Sequence, residues 1–179
     1  MELSLKEKRN YITGADIINF AFDKIIDKKK IVFNFYKFSK NQLEIKTSKV
    51  KKKSLVATIN YLRKKNKIFI VEKKKLIKKR TSFNEDKLIK NYLIKKKTII
   101  LRENNFNFFD TIVALNKKLL NHKIVKNNWI FCKLEIEQVK NLKYSELRIQ
   151  LKDSIRRKFY RSSIYLDKKL LGFIHFVKQ

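Results

Sequence analysis

The chain of 179 residues contains only two glycines, Gly14 and Gly172, and no proline, and this scarcity limits the backbone geometries open to it. Walker A loops and Gly-x-Gly-x-x-Gly dinucleotide cradles need several glycines, because backbone amides must approach a phosphate closely. The sequence therefore excludes both of these nucleotide-binding motifs.

Side chains for metal or covalent chemistry are equally scarce. There is one cysteine, Cys132, and there are two histidines, His122 and His175. A single cysteine excludes a disulfide framework and a cysteine-based zinc site, and it favours a reducing compartment. Cys132 alternates onto an apolar face, so we expect a buried structural thiol. These residues predict no metal site, no cofactor and no catalytic centre.

The strongly basic composition has two explanations, and the sequence leaves both open. The chain carries 46 Lys and Arg against 16 Asp and Glu, a net charge of +30. Neutralising phosphates is the main contribution of such cations to nucleic-acid binding, which favours an RNA-binding protein. However, only eight of the 46 are Arg, the usual residue for bidentate recognition. The abundant Lys, Asn, Ile, Phe and Tyr have AT-rich codons, so nucleotide bias explains the same composition.

Apolar periodicity in the second half predicts a small α+β domain. One helical stripe that ends near His122 consists of Phe108, Ile112, Leu115 and Leu119. Residues 129–136 alternate between apolar and polar side chains, which predicts a strand. Ser145 takes an N-cap position and predicts a second helix. That helix would bury Leu147, Leu151, Ile155 and Phe159. Residues 163–166 and 171–177 predict two strands, with Asp167 in the turn between them.

Two stretches of the first half predict helices. Residues 14–25 are amphipathic, with Ile18 and Phe22 at helical spacing. Asn84 precedes two acidic residues, a pattern typical of a helix N-terminus. The helix that begins there would carry Leu88 and Tyr92 on one face.

Three other stretches of the first half favour strands. Residues 31–36, 43–45 and 67–71 are rich in β-branched and aromatic side chains. An AT-biased chain uses Ile and Phe at most apolar positions, however, which weakens propensity as evidence here.

Two blocks of the chain match, in order and in spacing, the sequence pattern of one known family. Residues 91–104 read Asn-Tyr-Leu-Ile and then Ile-Ile-Leu-Arg before the pair Glu103 and Asn104. The second block runs from Ser145 through a basic turn at 156–158 to residues 166–174. Its motif residues are Asp167, Leu170, Leu171 and Gly172. These blocks resemble the δ subunit of F-type ATP synthase, the oligomycin-sensitivity-conferring protein family, although Phe173 replaces that family's second glycine.

The resemblance implies an α+β protein with an N-terminal helical bundle, residues 1–105, and a small C-terminal α+β domain, residues 106–179. In this family the first domain binds the α subunit and the second binds the b subunits. Such a peripheral-stalk subunit is not an enzyme: it links the F1 head to F0 at the cytoplasmic face of the cell membrane and so supports proton-driven ATP synthesis.

A groove for the N-terminal helix of the α subunit would be lined by four apolar side chains. The candidates are Ile18, Phe22, Leu88 and Tyr92. Plain core packing remains open for each of them. A ribosomal or other RNA-binding protein is the alternative to the stalk subunit.

Overall fold

The computed structural model describes residues 3–6, 9–25, 29–61, 67–102, 107–124, 128–138 and 142–179. The described residues form three α-helices: α1 (Gly14–Ile25), α2 (Glu85–Leu88) and α3 (Phe108–Lys123). They also form twelve strands: β1 (Leu5–Lys6), β2 (Lys29–Phe35), β3 (Asn41–Lys46), β4 (Leu55–Tyr61), β5 (Lys67–Leu76), β6 (Arg80–Thr81), β7 (Tyr92–Lys95), β8 (Thr98–Leu101), β9 (Trp129–Gln138), β10 (Leu147–Ile155), β11 (Phe159–Leu166) and β12 (Lys169–Lys178).

Ten of these strands form one antiparallel sheet. Its spatial order is β3-β5-β4-β2-β9-β12-β11-β10-β8-β7, while β1 and β6 form a separate parallel pair. The sheet is continuous across its centre because β2 and β9 pair antiparallel, with Ile31 opposite Ile136 and Phe33 opposite Leu134. All four of these side chains are buried.

The chain passes through a similar series of elements twice. A helix followed by four strands occurs first as α1 with β2 to β5 and again as α3 with β9 to β12. The first strand after each helix lies at the centre of the sheet, and the two helices pack against each other. The molecule is therefore two related halves joined edge to edge through β2 and β9.

One hydrophobic core lies between the two long helices and the sheet. Helix α1 contributes Ile18 and Ala21, and helix α3 contributes Ile112 and Leu115, all fully buried. Facing residues of the strands complete the same cluster. No helix among the described residues has the length and apolarity required to cross a membrane.

Several local predictions are confirmed. Helices α1 and α3 occupy the predicted positions, as do β9 and the final two strands. Strands β2, β3 and β5 cover the three stretches with strand propensity. Asn84 caps α2, since its side-chain oxygen accepts hydrogen bonds from the N–H groups of Asp86 and Lys87. The helix expected to carry both Leu88 and Tyr92 is wrong in length, because α2 ends at Leu88 and Tyr92 begins strand β7.

The predicted fold class is wrong. Residues 1–105 do not form a helical bundle: most of the described residues between 29 and 101 lie in strands of the large sheet. The helix expected after Ser145 is also absent, and residues 147–155 form β10. The predicted domain boundary after residue 105 falls between β8 and α3, and both sides of it contribute strands to the one sheet.

Candidate functional site

Helices α1 and α3 begin with equivalent capping residues. Thr13 precedes α1, and its hydroxyl donates to the Asp16 carboxylate at 2.6 Å while accepting from the Asp16 N–H at 3.2 Å. Asn107 precedes α3, and its side-chain oxygen accepts from the N–H of Phe109 at 3.1 Å. Asp16 and Asp110 each stand at the third residue of their helix, where the helix dipole favours a negative charge.

A single lysine connects these two helix starts. Lys6 Nζ lies 2.7 Å from an Asp16 oxygen and 2.6 Å from an Asp110 oxygen, and the lysine is only 8% exposed. Burial raises the pKa of the Asp110 carboxyl, and the nearby charge of Asp16 acts in the same direction, while Lys6 opposes both. A polar cavity of about 240 Å³ opens beside these groups, with Asn19 and Asn107 in its wall.

A second ion cluster lies further along α3. Glu85, the first residue of α2, binds both the Arg9 guanidinium and the Lys117 ammonium. Burial lowers the pKa of Lys117, and the charges of Arg9 and Lys6 add to this effect although Glu85 opposes it. Lys117 is therefore easier to deprotonate than an ordinary lysine.

Two adjoining cavities form a groove between the start of α1, the face of α3 and strand β9. The first, which we call the polar limb, has a volume of about 490 Å³. Its polar lining includes Arg9, Lys117, Asn121, Asn128 and Trp129. Within it the Trp129 indole N–H donates to the Asn121 side-chain oxygen at 2.7 Å.

The second cavity, which we call the apolar limb, has a volume of about 350 Å³. Its lining is mostly hydrocarbon and aromatic and includes Ile12, Ile17, Phe35, Ile130 and Val177. Cys132 also lies here and donates to the His175 carbonyl at 3.4 Å. Cys132 is half-buried and not fully buried as expected. Its partial burial still raises the pKa of the thiol to about 11, so the thiol stays protonated and is a poor nucleophile.

Gly14 marks the junction of the two limbs. Gly14, Phe38, Ile130 and Phe131 line both cavities. A Cβ at Gly14 would lie 2.5 Å from the Phe131 ring, so a larger residue would require that ring to shift. Gly14 is also the first residue of α1. The Asp16 N–H bonds to the Thr13 hydroxyl, which leaves the N–H groups of Gly14 and Ala15 without an acceptor inside the helix.

Metal binding finds no support in the described part of the chain, where no three His, Cys, Asp or Glu side chains come together to hold an ion. His175 is instead paired with Glu135 at 2.7 Å on neighbouring strands.

The four apolar candidates from the sequence do not line the groove. Ile18 is fully buried inside the core, and the Phe22 ring packs 5.9 Å from that of Phe109 on α3. Leu88 and Tyr92 pack against the same core, and Lys118 lies over the Tyr92 ring.

Of the motif residues in the second half, the structure brings Ser145 and Asp167 into contact, while Leu170, Leu171 and Gly172 have different surroundings. The Asp167 carboxylate accepts from the Ser145 N–H and hydroxyl at 2.9 and 2.7 Å, so Ser145 is bound to a hairpin turn and caps no helix. Leu170 is exposed, Leu171 is buried, and Gly172 lies directly against the backbone of Glu135. Glu103 and Asn104 lie outside the described residues.

Sequence reasoning missed Lys6, Arg9 and Lys117, which look like ordinary surface cations in a basic chain. The patterns Thr13-x-x-Asp16 and Asn107-x-x-Asp110, typical of helix N-termini, are a sequence signal that could have located the two helix starts. Nothing in the sequence showed that one lysine joins them.

Comparison with known proteins finds similarity in structure only. No family model and no curated protein matches the sequence. A solved structure described as a fusion DH domain superposes with a TM-score of 0.50 at 7% identity, covering 94% of this chain and 79% of that one. Erythromycin dehydratase superposes with a TM-score of 0.50 at 6% identity, covering 94% of this chain and 81% of that one. These likenesses show a hot-dog-like fold, in which an antiparallel sheet packs on long central helices.

The fold overturns the identification made from the sequence. A mostly antiparallel sheet of this kind is incompatible with the δ subunit of ATP synthase, so the predicted stalk function and the α and b subunit partners are wrong. The expectation of a non-enzyme rested on that resemblance and on the scarcity of Cys and His, and it is overturned because the structures that share the fold include a dehydratase. The RNA-binding alternative finds no support in these comparisons either.

Proposed function

We propose that the protein is an enzyme of the hot-dog class that acts on an acyl thioester bound in the groove. The observation that carries the proposal is the change in lining along the groove, from cations and amides in the polar limb to hydrocarbon in the apolar limb. An acyl chain fits the apolar limb, and the polar group to which the chain is attached as a thioester fits the polar limb. The thioester carbonyl would then lie at Gly14, between the two limbs. The backbone N–H groups of Gly14 and Ala15, at the start of α1, would donate hydrogen bonds to that carbonyl oxygen and stabilise the negative charge that develops on it.

The reaction that best fits these groups is loss of water from a hydroxyacyl thioester. Lys117 lines the polar limb, and its lowered pKa increases the fraction of neutral amine that can accept a proton. The amine would take a proton from the carbon beside the carbonyl and return it to the departing hydroxyl, so that water leaves and a carbon–carbon double bond forms. The dehydratase name of one structural neighbour supports this choice of reaction.

Trp129 provides a direct test of binding, because it is the only tryptophan and lines the polar limb. Titration with dodecanoyl-coenzyme A is expected to change its fluorescence with saturation, while coenzyme A alone binds at least about tenfold more weakly. Ile130→Phe narrows the junction and is expected to abolish binding. Ile100→Phe, on β8 away from both limbs, is the matched control and should bind normally.

Turnover is tested separately with 3-hydroxydodecanoyl-coenzyme A, following the absorbance of the conjugated product. Lys117→Met is expected to lower kcat by about a hundredfold or more while binding measured by Trp129 persists. Absence of any fluorescence change with the acyl thioester would contradict the whole proposal.

A second function, acyl binding without turnover, is favoured by one observation. None of the described residues that line the two limbs is Asp, Glu or His, the usual acid–base residues. Saturable binding together with no product from the hydroxyacyl thioester would establish this second function.

A further inference from the structure

The hairpin between β10 and β11 ends in a cluster of cations flanked by two exposed apolar side chains. We call residues 155–159 the basic tip: Ile155, Arg156, Arg157, Lys158 and Phe159. Ile155 is 66% exposed and Phe159 is 48% exposed, and the two are directly opposite each other across the hairpin. Three consecutive cations and a solvent-facing apolar pair therefore occupy one protruding turn.

The turn has a defined backbone structure. The Lys158 N–H donates to the Ile155 carbonyl at 3.1 Å, and the Tyr160 hydroxyl donates to the Arg157 carbonyl at 2.9 Å. Arg156 and Arg157 have φ angles of 53° and 52°, the left-handed region that glycine and asparagine adopt more readily. The two hydrogen bonds close the tip although two arginines occupy a backbone conformation that this residue type does not favour.

The tip emerges beside the polar limb of the groove. Tyr160, at the base of the hairpin, packs edge-on against Trp129 with ring centroids 5.2 Å apart. The Lys178 N–H donates to the Lys158 carbonyl at 2.8 Å, which ties the hairpin to the end of β12. A surface that binds the tip would therefore lie next to the groove.

We propose that the basic tip docks the protein on a lipid bilayer that contains anionic headgroups. Cations next to such a surface gain electrostatic attraction, and adjacent Ile and Phe side chains gain free energy by leaving water for the headgroup boundary. The overall charge of +30 attracts the whole chain to the same surface. This proposal is independent of acyl binding, since it rests on the hairpin and on the charge of the chain.

Co-sedimentation with vesicles tests the proposal. The full chain is expected to bind vesicles in which about 30% of the lipid is the anionic phosphatidylglycerol. It should bind vesicles of uncharged phosphatidylcholine only weakly. Binding should decline as salt screens the charges. Arg156→Asn with Arg157→Asn keeps residues that tolerate the left-handed turn and removes two charges, so partitioning is expected to fall about 25-fold. Phe159→Ser should reduce it at least about fivefold.

The turn between β11 and β12 supplies the matched control. It also carries exposed lysines and one exposed leucine, Leu170, at 47% exposure. Lys168→Asn with Leu170→Ser is expected to bind vesicles within about twofold of the unmodified chain. Thermal unfolding confirms that each variant is folded.

Two outcomes would overturn the proposal: no binding of the unmodified chain to anionic vesicles, or equal losses in the tip and control variants. Tip-dependent binding to poly-glutamate or to RNA with no binding to vesicles would assign the tip to another partner and would also overturn it.

Discussion

Asp16 and Asp110 occupy the same position in two equivalent helices, and both carboxylates bind the buried ammonium of Lys6. Each helix begins one half of the molecule, so this ion triad lies where the halves meet. Each aspartate also has a favourable place in the first turn of its helix. The triad therefore connects the N-terminus of α1 to the N-terminus of α3, the two helices that pack against each other.

Replacing Lys6 with Met is expected to destabilise the fold by about 3 kcal/mol, because two carboxylates are left close together without their cation. Burial already raises the pKa of the Asp110 carboxyl, and loss of the Lys6 charge would raise it further in the folded state. The variant should accordingly gain more stability than the unmodified chain does as pH falls from 7 towards 5. Urea unfolding at several pH values measures both effects.

The control for this prediction adds Asp16→Asn and Asp110→Asn to the Lys6→Met variant. Removing the unpaired charges is expected to recover at least about 1 kcal/mol and to abolish the gain at low pH. A Lys6→Met variant as stable as the unmodified chain would show that the triad does not stabilise the fold.

Gly172→Ala is expected to destabilise the fold by about 2 to 3 kcal/mol. A Cβ at this position would overlap the carbonyl oxygen of Glu135 on the neighbouring strand β9, and backbone in the middle of a sheet cannot move aside cheaply. The comparison is Gly14→Ala, which meets only the Phe131 ring and should cost less. Thermal unfolding of both variants measures the difference, and an equal loss would contradict the explanation.

Cys132 is expected to react about a hundredfold more slowly with iodoacetamide at pH 8 than a free thiol does. Burial raises the pKa of its thiol from 9.0 to about 11, which reduces the reactive thiolate by that factor. The reaction rate should increase tenfold per pH unit up to about pH 11. Because Cys132 lines the apolar limb, an acyl thioester in that limb should slow the reaction further. A rate like that of a free thiol would show that the limb is open to solvent.

Asp167→Asn tests the turn between β11 and β12 without changing its shape, since Asn also tolerates the φ of 45°. Hydrogen bonds from Ser145 and from the Glu146 N–H lower the pKa of the Asp167 carboxyl. A lowered folded-state pKa stabilises the fold above the unfolded pKa of about 4, and this stabilisation is lost as pH falls through the folded value.

The variant is therefore expected to melt below the unmodified chain at pH 7, with the difference closing as pH falls below about 4, the pKa of an unfolded aspartate. Melting temperatures at pH 7, 5 and 3 measure it. A difference that stays constant over this range would show that the carboxylate charge is not the cause.

The wrong helix after Ser145 has a simple geometric cause. Leu147, Leu151, Ile155 and Phe159 are spaced by four residues, and that spacing keeps side chains on one face of a helix and also on one face of a strand. The intervening Ile149, which is fully buried like Leu147, restores the alternation expected of a strand, while Ile155 and Phe159 are exposed at the end of the hairpin. Local periodicity alone favoured neither structure decisively over residues 147–155.

The predicted helical bundle in the first half of the chain was wrong for a different reason. Its β-branched stretches favoured strands, and β2, β3 and β5 confirm them. The resemblance to a helical family implied a helical bundle over the same residues, and this implication was given more weight than the strand propensity. Residue preferences were the better guide here, since side chains such as Ile31 and Phe33 pack well on a pleated sheet whatever the codon bias.

The amino-acid pattern by itself determined the elements whose evidence is local. The helical stripe of α3, the alternation along β9 and the cap at Asn84 follow from interactions within a few residues of one another. Only the tertiary structure decided the pairing of β2 with β9, the binding of Lys6 to both helix starts and the joining of polar and apolar limbs at Gly14. These features depend on residues far apart in the chain, whose contacts are selected by the packing of the whole core and leave no periodic trace in the sequence.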